Sequence, residues 1–247
     1  MQKIDQSLLK FSKGNSKLPK DTLIISLPAG HSCPFAQKCL SKANRITGKI
    51  TDGKNVEYRC FSATSESAFK NTRKQRWHNF DLLRGKDFEG MVKLIQASLD
   101  AIDLTKIKLV RIHEGGDFFN QNYLDAWLSI ARLNPKMIFY AYTKSIQYWQ
   151  ALKDVIPSNF KLTASYGGRD DAKIVTNNLK SNSVVFSEKE AKDKNLRIDH
   201  NDRLAWKQDK SFAVLLHGTQ PKGSKASQAI KTMKSNGTQF SYGKGNK

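Results

Sequence analysis

Residues Ile107–Ser145 read IKLVRIHEGGDFFNQNYLDAWLSIARLNPKMIFYAYTKS, two apolar runs with an amphipathic segment between them. Ile107 to Ile112 and Met137 to Tyr142 are short, rich in β-branched and aromatic residues, and followed by polar clusters, as buried strands are. Between them Asn120 stands where a helix cap would, ahead of Tyr123, Leu124, Trp127, Leu128 and Ala131 at helical spacing. Strand, helix and strand in this order predict a βαβ unit with parallel pairing.

The same alternation extends in both directions. Thr22 to Leu27 predicts a buried strand stopped by Pro28, and further strands are predicted over 161–165, 183–186 and 212–217. Helices are predicted over 67–83, 87–102, 146–155, 170–179 and 224–235. The first of these carries Phe69, Trp77 and Phe80, with Arg73, Lys74 and Arg76 expected to be exposed. Residues 188–210 are polar and read as irregular. About six strands alternating with helices predict an α/β fold, a partial or complete (β/α) TIM-like barrel of parallel strands in a single domain. No GxGxxG follows the first strand and no GxxxxGK[ST] occurs, which argues against an open dinucleotide-binding or P-loop fold. The predicted organisation is a basic N-terminal arm (1–20), a barrel-like domain (21–235) with a cysteine loop (31–66), and a flexible basic tail (236–247).

All three cysteines, Cys33, Cys39 and Cys60, lie in that loop, directly after the first predicted strand. Turn signals at Thr47-Gly48-Lys49 and Asp52-Gly53-Lys54 predict a small hairpin between the second and third. An odd count does not make a disulfide framework, and the N-terminus has no apolar core of signal-peptide length, so a reducing compartment is expected. Clustered thiols there suit an iron–sulfur cluster, zinc or Cu(I). Three thiolates are one short of a closed structural site. Either a histidine, His31 or His113, completes the set, or one metal position is open to a small molecule. A buried free thiol beside an adventitious pair is the plainer alternative.

The formal charge of the 247-residue chain is +20, and the isoelectric point is about 9.9. The charge is clustered: residues 38–86 hold twelve Lys or Arg against four Asp or Glu, and residues 222–247 hold six Lys and no acid. This pattern favours a polyanionic partner, most simply nucleic acid, over a uniformly solvated lysine surface. No apolar run approaches the ~18 residues of a membrane span, so no membrane association is expected.

Each predicted strand ends in polar residues: His31 and the cysteines; His113-Glu114-Gly115-Gly116-Asp117; Thr143-Lys144-Ser145; Ser165-Tyr166-Gly167-Gly168; and His217-Gly218. In a barrel these loops share one face, where active sites are built. Individually, Gly115-Gly116 can be only a tight turn, Asp117 only a helix cap, Lys144 only a surface charge, and His217 only a structural residue. His78 and His200 read as structural or exposed.

CPFAQKC, RCFSATSE, RIHEGGDFFNQNYLDAW, FYAYTKS and FAVLLHGTQPKGSKAS together resemble the phage "gene product eighty-eight" family, over residues 20–235. The resemblance implies a phage protein, an iron–sulfur type of cysteine set, and a place in the cytoplasm of an infected host cell. More distantly, the chain is similar to radical S-adenosylmethionine enzymes. These place three cluster cysteines after the first strand of a partial barrel and a Gly-Gly-Glu type turn after the second. Glu114-Gly115-Gly116-Asp117 falls at that place, whereas the CxxxCxxC spacing of those enzymes is absent.

Three functions follow as expectations. The first is a redox or radical enzyme with a [4Fe–4S] cluster on Cys33, Cys39 and Cys60. Glu114, Asp117, Lys144 and His217 are its candidate catalytic groups, Gly115, Gly116 and Tyr166 line the cofactor, and S-adenosylmethionine is a possible ligand. Its substrate would be a nucleic acid or nucleotide. The second is a nucleic-acid-binding protein with a structural zinc or cluster. The third is a metal-dependent nuclease or hydrolase using His113, Glu114 and Asp117.

Overall fold

The computed structural model describes residues 7–15 and 17–238. The predicted arm before residue 7 and most of the predicted tail (239–247) lie outside the described residues. The first elements are β1 (Ser12–Lys13), β2 (Thr22–Ile25), β3 (Ser41–Ala43), β4 (Ile50–Asp52), α1 (Phe61–Ala68), α2 (Lys70–Leu83) and α3 (Phe88–Asp100). There follow β5 (Leu109–Ile112), α4 (Gln121–Leu133), β6 (Ile138–Thr143), α5 (Ile146–Ala151), β7 (Phe160–Ser165) and α6 (Asp171–Thr176). The last are β8 (Ser181–Val185), α7 (Glu188–Asp193), α8 (Arg203–Lys207), β9 (Phe212–Leu215) and α9 (Lys225–Ser235).

Seven strands form one sheet in the order β1-β2-β5-β6-β7-β8-β9. Only β1 is antiparallel; the six strands from β2 to β9 pair in parallel, each beside its successor in the chain. This is a singly wound (β/α) sheet, without the reversal of strand order that marks a doubly wound fold. It is open. Among the described residues its edges, β1 and β9, are not paired to each other, so of the expected partial or complete TIM-like barrel the structure shows a single, mostly parallel sheet without closure. Six parallel strands fall short of the eight that close such a barrel around its own side chains.

The pleat sends alternate residues to two faces. Leu23, Ile25, Val110, Ile112, Phe139 and Ala141 point to one, where they bury against Met91 and Ile95 of α3 and Leu124 and Trp127 of α4. Capping fixes where those helices begin. Asp87 Oδ1 accepts from the Gly90 amide at 2.8 Å, and Asn120 Oδ1 from the Tyr123 amide at 2.8 Å. The opposite face carries Leu109, Tyr140 and Phe212, covered by Leu204 and Ala205 of the short helix α8.

Three expectations are corrected. Residues 188–210 are not wholly irregular, since they form α7 and α8; α8 is too short for its period to show in sequence. The segment before residue 20 is part of the fold from residue 7 on. Leu9 and Leu18 are buried, and Ser12–Lys13 pairs with β2. The predicted helix over 67–83 is two helices broken at Phe69, whose extended backbone (φ −117°, ψ 100°) turns α1 into α2. On α2 only Lys74 is exposed as expected; Arg73 and Arg76 are buried. Both guanidiniums find oxygen partners inside, which the exposed-cation reading of a basic helix does not anticipate.

Candidate functional site

A cavity of about 180 Å3 opens at the carboxyl ends of the parallel strands. All three cysteines line it: Cys33 and Cys39 from the loop after β2, and Cys60 from the position before α1. The sulfurs sense one another. Burial pushes the Cys33 thiol well up, helped by Asp117, Cys60 and Cys39 and opposed by the Gly30 amide, which donates to Sγ at 3.3 Å. Burial also raises Cys60, to about 11, with Cys39 adding to the shift and the Ala63 and Ser62 amides at the start of α1 opposing it. Among the described residues, no set of three or more His, Cys, Asp or Glu is arranged so that it could hold a single metal ion. The donor chemistry nevertheless fits a cluster: three soft thiols, free of disulfides, share one cavity and backbone amides turn toward two of them.

The loops after β5 and β6 form one wall. Asp117 is buried there, its Oδ1 accepting from Thr143 Oγ1 at 2.6 Å and from the Phe118 amide at 2.8 Å, its Oδ2 from the Lys144 amide at 2.8 Å. Burial raises its pKa despite these bonds. Lys144 reaches over β7, where its ammonium donates to Ser165 Oγ at 2.7 Å. It is buried and makes no ion pair among the described residues. The Oδ1 of buried Asn182, also on the lining, accepts no hydrogen bond among the described residues. Gly116 (φ +95°) makes the turn possible, because a Cβ there would stand 2.7 Å from Leu27 Cβ and from Ser32 Oγ.

The floor is a buried ion cluster. Asp202 meets Lys17 Nζ at 2.6 Å and Arg111 Nη1 at 2.5 Å, and Tyr140 donates to it at 3.3 Å. Burial opposes the charge on Asp202, yet Arg111 and Lys17 hold its pKa below the ordinary range. Behind the cysteines, Arg76 pairs with Glu66 at 2.8 Å, donates to the Ser62 carbonyl at 3.0 Å, and stands 3.6 Å from Glu114. Glu66 in turn accepts from the Ala29 amide at 2.9 Å. This network joins α1, α2 and the loops after β2 and β5.

The cavity thus gathers Cys33, Cys39, Cys60, His113, Glu114, Gly115, Gly116, Asp117, Lys144 and His217. Two expected members are absent from its lining. Tyr166 packs instead against the Ile146, Ala164 and Ile174 cluster, and His31 bonds the Ala43 carbonyl at 3.0 Å with its ring 4.8 Å from Trp77. His113 shares a 3.3 Å bond with the Tyr123 hydroxyl, and burial lowers its pKa to about 3. Burial lowers His217 to about 4. Its Nδ1 donates to the Leu215 carbonyl at 2.9 Å, so the neutral ring carries its lone pair on Nε2. Sequence reasoning missed Lys17, Arg111 and Asn182. The stretch Ile198–Asp202, a His between carboxylates, reads in sequence either as lining the mouth or as a solvated turn, and its Asp202 lines the cavity.

The family model described as Gene product 88 matches residues 7–235. The Gene 88 protein of Mycobacterium phage L5 is 32% identical over 127 residues, which are 49% of this chain and 46% of that protein. The Gene 88 protein of Mycobacterium phage D29 is 30% identical over 127 residues, with the same coverage. The matched part spans about half the length of these relatives. No solved structure matches the chain. Among the described residues, no helix is long and apolar enough to cross a membrane.

Proposed function

The chain belongs to the Gene product 88 family, and we propose that it is an iron–sulfur redox or radical enzyme acting on a nucleotide-like or nucleic-acid substrate in the infected host cell. Cys33, Cys39 and Cys60 would hold a [4Fe–4S] cluster. The observation that carries this reading is the arrival of all three thiols in one cavity at the strand ends. When bound, such a cluster supplies single electrons to a ligand at its open iron.

The remaining groups bind and orient. The Lys144 ammonium, desolvated and held by Ser165, receives an anionic end of the ligand. Asp117 is a positioning residue, because its hydrogen bonds fix the loop that carries Lys144. His217 is neutral at pH 7, with Nε2 as its acceptor atom. At about 180 Å3 the cavity is smaller than the ~300–1,000 Å3 of drug-sized sites, so it takes a compact group and not a polymer. S-adenosylmethionine is itself drug-sized, so it fits only if the cavity opens further; it is the first ligand to try because Gly115 and Gly116 edge the cavity where the distant resemblance puts the methionine end. A structural zinc on the same cysteines in a nucleic-acid-binding protein is the second reading, supported by the excess of lysine; it requires the sulfurs to draw together, since among the described residues no three donors are arranged for a single ion. A hydrolytic metal on His113, Glu114 and Asp117 draws less support, because these side chains hold separate partners.

Anaerobic purification with iron, sulfide and zinc analysis, on wild type and Cys33→Ala, tests the proposal. A broad band near ~400 nm that the substitution removes supports the cluster. A colourless protein with one zinc per chain sinks it in favour of the second reading.

A further inference from the structure

The hairpin β3–β4 ends in a tip that the fold holds rigidly outward. Asn44 Oδ1 accepts from the Ile46 and Thr47 amides at 2.9 and 2.8 Å, and the Gly48 amide closes on the Asn44 carbonyl at 2.9 Å. Arg73, 5% exposed, donates to the carbonyls of Arg45 at 3.1 Å and Ile46 at 3.3 Å. Gly48 lies so close to that guanidinium that a Cβ would stand 2.6 Å from Nη1. A buried arginine thus fixes a tip whose apolar side chain faces water: Ile46 is 79% exposed. Phe69, at the break between α1 and α2, is 63% exposed. The two belong to one surface. Arg73, which meets the Ile46 carbonyl, lies one turn after Phe69, its amide donating to the Phe69 carbonyl at 3.0 Å, and Gly48 approaches the Ser67 carbonyl.

The charge around this surface is unbalanced. Every acid between residues 38 and 86 is engaged: Asp52 with Arg59, Glu57 with Lys38, Glu66 with Arg76, and Asp81 with Arg45 and Arg84. Lys42, Lys49, Lys70 and Lys74 are exposed and make no ion pair among the described residues. A second copy of the chain would set these lysines against their like. A polyanion with apolar faces of its own complements both features.

We infer that the surface formed by Ile46, Phe69, Lys42, Lys49, Lys70 and Lys74 binds single-stranded nucleic acid. The lysines take phosphates, and bases stack on Phe69 against Ile46. A duplex keeps its base faces covered and offers only phosphates. This deepens the substrate half of the proposed function and stands apart from the cluster half. Phe69 follows Cys60 by one helix, about 13 Å at 1.5 Å per residue.

The test is fluorescence anisotropy with a labelled 20-nucleotide single strand and the corresponding duplex, over a range of salt, on the full chain with and without iron reconstitution. Wild type is expected to hold the single strand more tightly than the duplex. Phe69→Ala with Ile46→Ser is expected to weaken single-strand binding about tenfold or more with the salt slope unchanged. Lys70→Glu with Lys74→Glu is expected to lower the slope of log affinity on log salt by about 0.7 for each phosphate no longer neutralised. Lys189→Glu with Lys192→Glu, on the exposed side of α7, serves as the control and is expected to bind as wild type does. Circular-dichroism melts confirm that each variant is folded. The inference is overturned by absent binding, by equal or tighter binding of the duplex, or by folded surface variants that bind as wild type. Patch-dependent sedimentation with phosphatidylserine vesicles in the absence of oligonucleotide binding would assign the surface to a membrane, and an Ile46-dependent dimer without it to a second copy. Either overturns the inference. Binding without iron leaves it standing even if the cluster reading fails.

Discussion

Thr143 Oγ1 donates to Asp117 Oδ1 at 2.6 Å, tying the loop after β5 to the end of β6. Asp117 also accepts from the Phe118 and Lys144 amides. Asp117→Ala removes the common acceptor and leaves buried donors unpaired, at a cost of about 3 kcal/mol or more. Urea denaturation measures it; a midpoint within error of wild type would show that the loops are held by something else.

Arg76 and Glu66 form a pair whose side chains are 3% and 0% exposed. Removing one partner strands the other. Arg76→Met is expected to cost about 3–5 kcal/mol, and the double variant Arg76→Met, Glu66→Leu to recover a substantial part of that. Thermal melts of the three proteins decide. A double variant no better than the single one would assign the cost to packing.

His113 and His217 are held neutral, with pKa lowered from 6.5 to about 3 and about 4. Below about pH 6.5 the unfolded chain binds a proton at each that the folded chain refuses. Stability is therefore full above that pH and falls on acidification, by about 1.4 kcal/mol per pH unit for each histidine, until the folded pKa is reached. His217→Gln is expected to reduce the slope between about pH 6 and pH 4.5 by one such unit. Chemical denaturation across that range supplies the comparison, and an unchanged slope would show that His217 is protonated in the fold.

Cys60, raised to about 11 in the metal-free protein, is about one part in a thousand thiolate at pH 8. Iodoacetamide is expected to label it slowly, with a rate that climbs about tenfold per pH unit and does not level off below pH 10. Peptide mapping after timed quenching follows the site, and a plateau near pH 8 would mean an ordinary exposed thiol.

Lys144 is a buried ammonium whose bond to Ser165 uses one of its three protons. Phosphate is expected to raise the melting temperature of wild type and to have a smaller effect on Lys144→Met. Equal responses to phosphate in the two proteins would remove Lys144 from the ligand site.

Much of the frame was legible because it depends on local pattern. The apolar runs at Thr22–Ile25, Leu109–Ile112 and Ile138–Thr143 announce strands whatever surrounds them, and their polar ends mark one face once the pairing is parallel. The cysteines could be grouped for the same reason. What stayed hidden depends on partners far along the chain. Lys17 looks like an arm residue until Asp202 is beside it, and Arg73 and Arg76 look like surface cations until Ile46 and Glu66 are placed. Closure of a barrel is likewise a property of strand number and curvature, which no single segment carries.

The Lys17–Asp202 pair joins positions near opposite ends of the described chain, and the cavity above it shares that long reach. Its three cysteines leave the ribosome early, whereas walls at Lys144, Ser165 and His217 come much later. Between Cys60 and His217, synthesis takes roughly 8 to 30 s at 5–20 residues per second. Throughout that interval the thiols stand without the enclosure that buries them in the finished fold, and they are open to oxidation and to stray metal. The order of synthesis therefore exposes these thiols well before the cavity that encloses them exists.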